Sequence, residues 1–332
     1  MGNVEREIGS ATMAGEGWVE SDAPITVAGV EIASRLTLPA AAPRGAILLI
    51  PGSLFVDADG NIPAMGMMPN TTCDLARRLA SLGFASLRMA KVGPGTGSRT
   101  VDEAAAVRHA DFATRVEAAE AGLRAMRTKV PGGPAVVAGH SEGAVVASLL
   151  AVSDARFALD GVVSLAGPAL RIFDIMREQV AHGQAGQRDP DLSVFDLAVA
   201  ALRAGEPIPE ETRADPQSGM LSHLPPPAIN YLCGVDAVDP VEALARVPLP
   251  VLLVQGGRDG SVRPGHAHRL LAGRGPAPTE LAEFPTLTHF FKAAPATLTP
   301  METMMVGGDT DPGVADAIAG WARRLPGARA SS

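Results

Sequence analysis

The chain has 332 residues, more than the ~250–300 that one hydrophobic core usually holds, so one large domain with an inserted piece is expected rather than two independent units. Hydrophobic residues make up 46% and aromatics only 4%, which leaves aliphatic side chains and alanine to fill the core. A formal net charge of -8 repels phosphate backbones and argues against a nucleic-acid partner.

No apolar run approaches the ~20 residues of a membrane span, so no membrane partner is expected. Glu5, Arg6 and Glu7 stand where a signal peptide needs its apolar stretch, and the cytoplasm is the expected compartment. Cys73 and Cys233 lie far apart and outside any metal-ligand spacing, which reads as two thiols rather than a disulfide framework.

In chain order, residues 1–17 are Gly-rich and polar and read as a flexible tail. The chain turns strand-like from Trp18, and residues 25–30 and 32–38 read as a hairpin turning at Ala28-Gly29. Residues 46–50 (AILLI) have the continuous aliphatic character of a strand buried on both faces. A long loop to about Asn70 follows, then a helix over 72–82, a strand over 84–89, a Gly-rich turn at 93–97 and helical spacing over 101–129. A strand at 135–138, a helix at 143–152 and a strand at 161–166 complete an alternation that predicts a mostly parallel sheet with helices on both faces.

The alternation stops at Pro168 and returns after Val247. Residues 168–247 hold helical stretches at 170–182, 192–204 and 240–246, joined by polar and Pro-rich connectors that include Pro225-Pro226-Pro227. They predict a helical cap inserted into a core formed by residues 18–167 and 248–332. Strands at 251–255 and 279–284 and helices at 266–272 and 314–324 close the chain.

The chemistry is carried by Gly139-His140-Ser141-Glu142-Gly143, a G-x-S-x-G between a strand and a helix. So sharp a turn has no room for side chains at its flanking positions, and it presents a strained Ser at the head of the helix. A Ser hydroxyl needs a base to become a nucleophile, and His is the natural choice. Of seven histidines, His289 follows the last strand, at the sheet edge where the base must stand. His109, His140, His182, His223, His266 and His268 have weaker placements.

An orienting carboxylate is expected from Asp259, directly after the strand at 251–255, with Asp236 and Asp239 as competitors in the insertion. The expected triad is Ser141, Asp259 and His289. The expected oxyanion donors are the backbone N–H of Glu142 and of Ser53, with Leu54 the near alternative. The Glu142 side chain itself is expected only to complement the helix N-terminus.

These segments resemble the α/β-hydrolase superfamily, and within it a bacterial carboxylesterase branch related to acylaminoacyl-peptidase and dienelactone-hydrolase-like enzymes. The likeness rests on the loop from Pro51-Gly52-Ser53 to Asp57-Ala58-Asp59-Gly60-Asn61, the elbow, Gln255-Gly256-Gly257-Arg258-Asp259 and His289-Phe290-Phe291. It departs at Ala90-Lys91-Val92-Gly93, where the branch has Asp-Lys-Arg-Gly, and at Leu54-Phe55, where small residues are common. The resemblance implies a serine esterase.

A small-molecule acyl ester or thioester is therefore the expected substrate, with no cofactor and no metal. Asp57, Asp59 and Asn61 imitate part of a calcium loop but lack its downstream Glu, and are expected to brace the oxyanion loop. The turn at 93–97 lacks the Lys-Ser/Thr of a phosphate loop. Met65–Met68 could reach the acyl pocket or simply pack under the loop. Lactone, amide or carbon–carbon hydrolysis and acyl transfer use the same parts, and a non-catalytic ligand-binding member of the fold is the reading from another class. An oligomer is possible but nothing in the sequence indicates one.

Overall fold

The computed structural model describes residues 12–14, 17–54, 56–93, 97–102, 104, 111–153, 158–183, 191–215 and 219–326. The strands are β1 (Thr12–Ala14), β2 (Trp18–Asp22), β3 (Ile25–Val27), β4 (Val30–Ile32), β5 (Ser34–Pro39), β6 (Ala46–Ile50), β7 (Ala85–Met89), β8 (Arg99–Thr100), β9 (Ala135–His140), β10 (Gly161–Leu165), β11 (Val251–Gly256) and β12 (Thr279–Phe284). The helices discussed below are α1 (Thr71–Ser81), α2 (Phe112–Lys129), α3 (Glu142–Ser153), α4 (Ile172–Gly183), α5 (Ser193–Ala204), α6 (Pro226–Asp236), α7 (Pro240–Ala245), α8 (Gly265–Gly273), α9 (Pro300–Met304) and α10 (Pro312–Ala322).

Nine strands form one sheet in the order β1-β2-β5-β7-β6-β9-β10-β11-β12. It is parallel from β7 to β12 and antiparallel at the β1-β2-β5-β7 end. Its strands alternate between two apolar layers, as the two-residue period of a strand requires. Ala46, Leu48 and Ile50 of β6 face Leu123 and Met126 of α2 and Val146 and Leu150 of α3, while Ile47 and Leu49 face Leu75 and Leu79 of α1 and Val314 and Ile318 of α10. This three-layer build matches the expected parallel sheet with helices on both faces.

β6 is followed by β7 on one side, whereas β9 lies on its other side. That divergence leaves a crevice at the carboxyl ends of β6 and β9, the usual place for a site in such sheets. Register brings the two ends level, since Ile50 pairs with Gly139 and Leu165 with His140.

Three local expectations change. The chain turns at Ala28 and Gly29, both at positive φ, but the two arms expected over 25–30 and 32–38 become three strands: Val30–Ile32 pairs with β3 and β8 in a small separate sheet, and Ser34–Pro39 enters the main one. Thr12–Ala14, expected in the tail, pairs with β2 instead; residues 1–11 of that tail lie outside the described residues, as do Phe55, His109 and the middle of the 93–97 turn. Pro225-Pro226-Pro227, read as a connector, starts α6, because proline is tolerated in a first turn where its missing N–H had no partner to lose.

Among the described residues between β10 and β11 the regular elements are helices, with a one-turn helix at Gly219–Ser222 between α5 and α6. These helices bury an apolar cluster of their own, around Phe173, Phe195, Ala198, Leu202 and Leu221. Among the described residues no helix is long and apolar enough to cross a membrane.

Candidate active site

β9 runs into α3 through a single residue, Ser141, held at φ 54°. A left-handed backbone is costly for a residue with a Cβ, and neighbours must enforce it. The Ser141 amide donates to Leu165 O (2.8 Å), and Ser141 O accepts from the Ala144 amide (2.9 Å). The flanking glycines are sterically obligatory. A Cβ on Gly139 would stand 2.0 Å from Gly143 O, and one on Gly143 would stand 2.5 Å from Pro51 O. The loop after β6 passes equally close, since a Cβ on Gly52 would lie 3.2 Å from that of Ser141.

Two strands further along, β11 delivers Asp259 and β12 delivers His289, both buried. His289 Nδ1 lies 2.8 Å from Asp259 Oδ2. A carboxylate oxygen accepts, so His289 Nδ1–H is the donor of this bond, and a neutral ring that makes it has its lone pair on Nε2. Asp259 is fixed in turn: its Oδ1 accepts from the amides of Ser261 and Val262 (both 2.8 Å), and its Oδ2 accepts from Gln255 Nε2 (3.3 Å).

His140, inside the elbow, braces the histidine loop. Its Nε2–H donates to His289 O (2.9 Å), and the two rings sit 4.6 Å apart. Burial, with His289 alongside, pushes the His140 imidazolium down to about 3, so the ring is neutral and can hold that one tautomer. Lys292 ties the far side of the loop to α1 through Asp74 (3.1 Å) and to Thr310 (2.9 Å).

A family profile for serine aminopeptidase, S33, matches residues 65–291, more than half of the chain. The chain belongs to the serine aminopeptidase S33 family. The α/β-hydrolase membership and fold expected from the sequence are thereby borne out. The matched span contains Ser141, Asp259 and His289 of this S33 protein, while Ser53 precedes it.

The chain is 28% identical to esterase EstD of Thermotoga maritima over 321 residues, 92% of this chain and 68% of that protein. Est1E of Butyrivibrio proteoclasticus, solved with ferulic acid, superposes with a TM-score of 0.56 at 14% identity, covering 90% of this chain and 96% of that one. The acylaminoacyl peptidase of Pyrococcus horikoshii gives 0.53 at 11% identity, covering 95% of this chain and 43% of its own. Both structures share the fold.

The competing acids of this S33 protein are engaged elsewhere. Asp236 caps α4 through the Phe173 amide and pairs with Arg203 (2.8 Å) and Arg171 (3.3 Å). Asp239 caps α7. Asp57 and Asn61 make side-chain-to-backbone hydrogen bonds within their own loop: Asp57 Oδ1 accepts from the amides of Asp59 and Asn61, and Asn61 exchanges two hydrogen bonds with Asn70. Asp59 pairs with the buried Arg88 (2.8 Å). Met67 packs with Val56, Ile62 and Phe290, whereas Met65 and Met68 are exposed.

The sequence reading missed the surroundings of Glu142. Its side chain is 3% exposed and does more than complement a helix end. Oε2 accepts from Ser53 Oγ (3.1 Å), while Oε1 accepts from Lys91 Nζ (3.3 Å) and from the Tyr231 hydroxyl of α6. Arg115 Nε stands 2.9 Å from the same Oε1, an ion pair off the line of a hydrogen bond. Burial pushes the Glu142 carboxyl up, but Lys91, Arg115, Tyr231 and Ser53 outweigh it and hold it near 2.

His266 was also undervalued. Its Nδ1 accepts from the Ala169 amide and its Nε2 donates to Glu178 of α4, both at 2.9 Å, which anchors the insertion beside the Asp259 loop.

Proposed function

We propose that this protein is a serine hydrolase that cleaves a small or medium carboxylic ester or thioester through an acyl-enzyme, with Ser141, His289 and Asp259 as its triad. The observation that carries this reading is the buried 2.8 Å pair of His289 Nδ1 and Asp259, at the sheet edge where Ser141 is turned out of its strand. The similarity to a Thermotoga maritima esterase supports the ester bond.

In this reading, His289 Nε2 takes the proton from Ser141 Oγ as the oxygen attacks the carbonyl carbon. Asp259 stabilises the imidazolium. The tetrahedral oxyanion is held by the N–H groups of Glu142 and Ser53, each worth roughly 3–4 kcal/mol. Collapse returns the proton to the departing alcohol. Water then attacks the acyl-serine, with His289 again as base. Residues 168–247 serve as a cap over the core of 18–167 and 248–332. The cytoplasm is the proposed compartment, a setting that suits two free cysteines.

The test is turnover of p-nitrophenyl esters by wild type, Ser141→Ala and His289→Ala. Each variant should lose roughly a thousandfold or more in kcat; undiminished turnover by Ser141→Ala would refute the mechanism. An amide substrate is the second reading, favoured by the family's description as aminopeptidases. Ester and anilide substrates with the same acyl group separate the two by their kcat/KM ratio.

A further inference from the structure

A buried carboxylate is expensive, and an apolar replacement of similar shape often serves stability as well. Glu142 is nevertheless held between two cations and two hydroxyls, directly after the nucleophile. Its partners belong to different parts of the molecule. Ser53 lies on the loop after β6. Arg115 of α2 binds that loop as well, donating to Gly52 O (2.9 Å) and Pro51 O. Tyr231 comes from the insertion, and its ring also lies 4.2 Å from Lys91 Nζ.

We propose that the Glu142 carboxylate is a positioning residue that fixes the Ser53 side of the oxyanion slot, and that Tyr231 docks the cap onto it, so that the slot is fully set only while α6 is seated. The proposal rests on the oxyanion assignment above. Glu142 contributes one wall through its own N–H, and its carboxylate reaches across to the residue that supplies the other. The spacing of the two donors therefore depends on one side chain. Substrate entry that lifts α6 removes the Tyr231 hydroxyl and the ring beside Lys91, leaving Glu142 to its cationic partners and loosening its hold on Ser53. Reseating α6 restores the grip. The arrangement ties tetrahedral-state binding, more than ground-state binding, to cap closure.

The test is a double-mutant cycle of Tyr231→Phe and Ser53→Ala. It reads kcat, KM and inhibition by a phenylboronic acid, which forms a tetrahedral adduct on a nucleophilic serine. Tyr231→Phe removes one oxygen and keeps the ring against Phe112 and Lys91. Each single variant should lower kcat about tenfold, the scale of a hydrogen bond to a charged group, with KM nearly unchanged and boronate inhibition weakened in step. Because both act through Glu142, the double variant should lose little more than the worse single. Ser53→Thr, which keeps the hydroxyl, should restore kcat. Wild-type kcat in Tyr231→Phe, a loss confined to KM, or effects that multiply would overturn the proposal.

Tyr231 is the one tyrosine in the chain, so 3-fluorotyrosine labels it alone. Should Tyr231→Phe fail to fold, the labelled protein decides. A fluorine resonance that moves on Ser53→Ala supports the coupling, and an unmoved one refutes it. Ser141→Ala runs alongside: if it remains active, the nucleophile assignment fails, whereas if it is inactive and Tyr231→Phe is unaffected, only the coupling fails.

Discussion

At the scale of single residues, the elbow sets its own tolerance. The Cβ that alanine would add at position 139 meets a carbonyl oxygen at 2.0 Å, which only backbone movement can relieve. Gly66 is a fair control, since it has φ 68° and nothing within 4 Å of its Cβ direction. Gly66→Ala should cost about 1 kcal/mol, the strain of a left-handed residue. Gly139→Ala should cost at least ~3 kcal/mol and lower kcat by ~100-fold through displacement of Ser141. Denaturant midpoints and ester turnover check both, and equal costs would mean that the elbow is slack. The close approach at Gly139 and Gly143 and the pairing of Asp259 with His289 were legible in the sequence because they follow from strand ends and steric need. Arg115 and Tyr231 were not, because nothing local ties them to a residue 27 or 89 positions away. One signal was available: Glu142 heads an otherwise uncharged helix, EGAVVASLLAVS, and a charge buried there must find partners.

At the scale of elements, the insertion has an apolar centre distinct from the two layers of the sheet. Phe195, 1% exposed, lies in it beside Phe173 and Leu202. Phe195→Ala removes a buried ring, a change that costs about 3–5 kcal/mol in a core that cannot collapse around the void. The loss should stay local. Hydrogen exchange should quicken in α4 and α5 while β6 and β9 keep their protection. Uniform loss of protection would mean that the insertion and the sheet form one cooperative unit. The helical character of α4, α5 and α7 was legible from spacing. α6 was hidden because three prolines read as a break until one sees that Pro225 is the N-cap and Pro226 and Pro227 open the first turn. The division of β4 from β5 was hidden too, since pairing partners far along the chain decide which sheet a short strand joins.

For the whole molecule, these buried groups set the response to acid. His140 has a folded value of about 3 against an ordinary 6.5, so between them the unfolded chain holds a proton that the folded protein refuses. The His140 contribution to stability is therefore full above 6.5 and falls as pH drops through that window, by about 1.4 kcal/mol per unit. Glu142, near 2 against 4.5, adds a slope of the same sign that begins only below 4.5. Lys91, lowered to about 8 from 10.5, completes its change above neutrality: folding gains as pH rises from 8 to 10.5, and below 8 both states are charged and nothing further is lost. Between 6.5 and 4.5, then, His140 alone of these three acts. His140→Gln keeps an amide donor for the His289 carbonyl but cannot titrate. Equilibrium unfolding should find the variant less stable than wild type near neutrality, with the gap narrowing by about 2 kcal/mol on going from 6.5 to about pH 5. Parallel stability curves for the two proteins over that range would show that the elbow imidazole does not govern the acid limb.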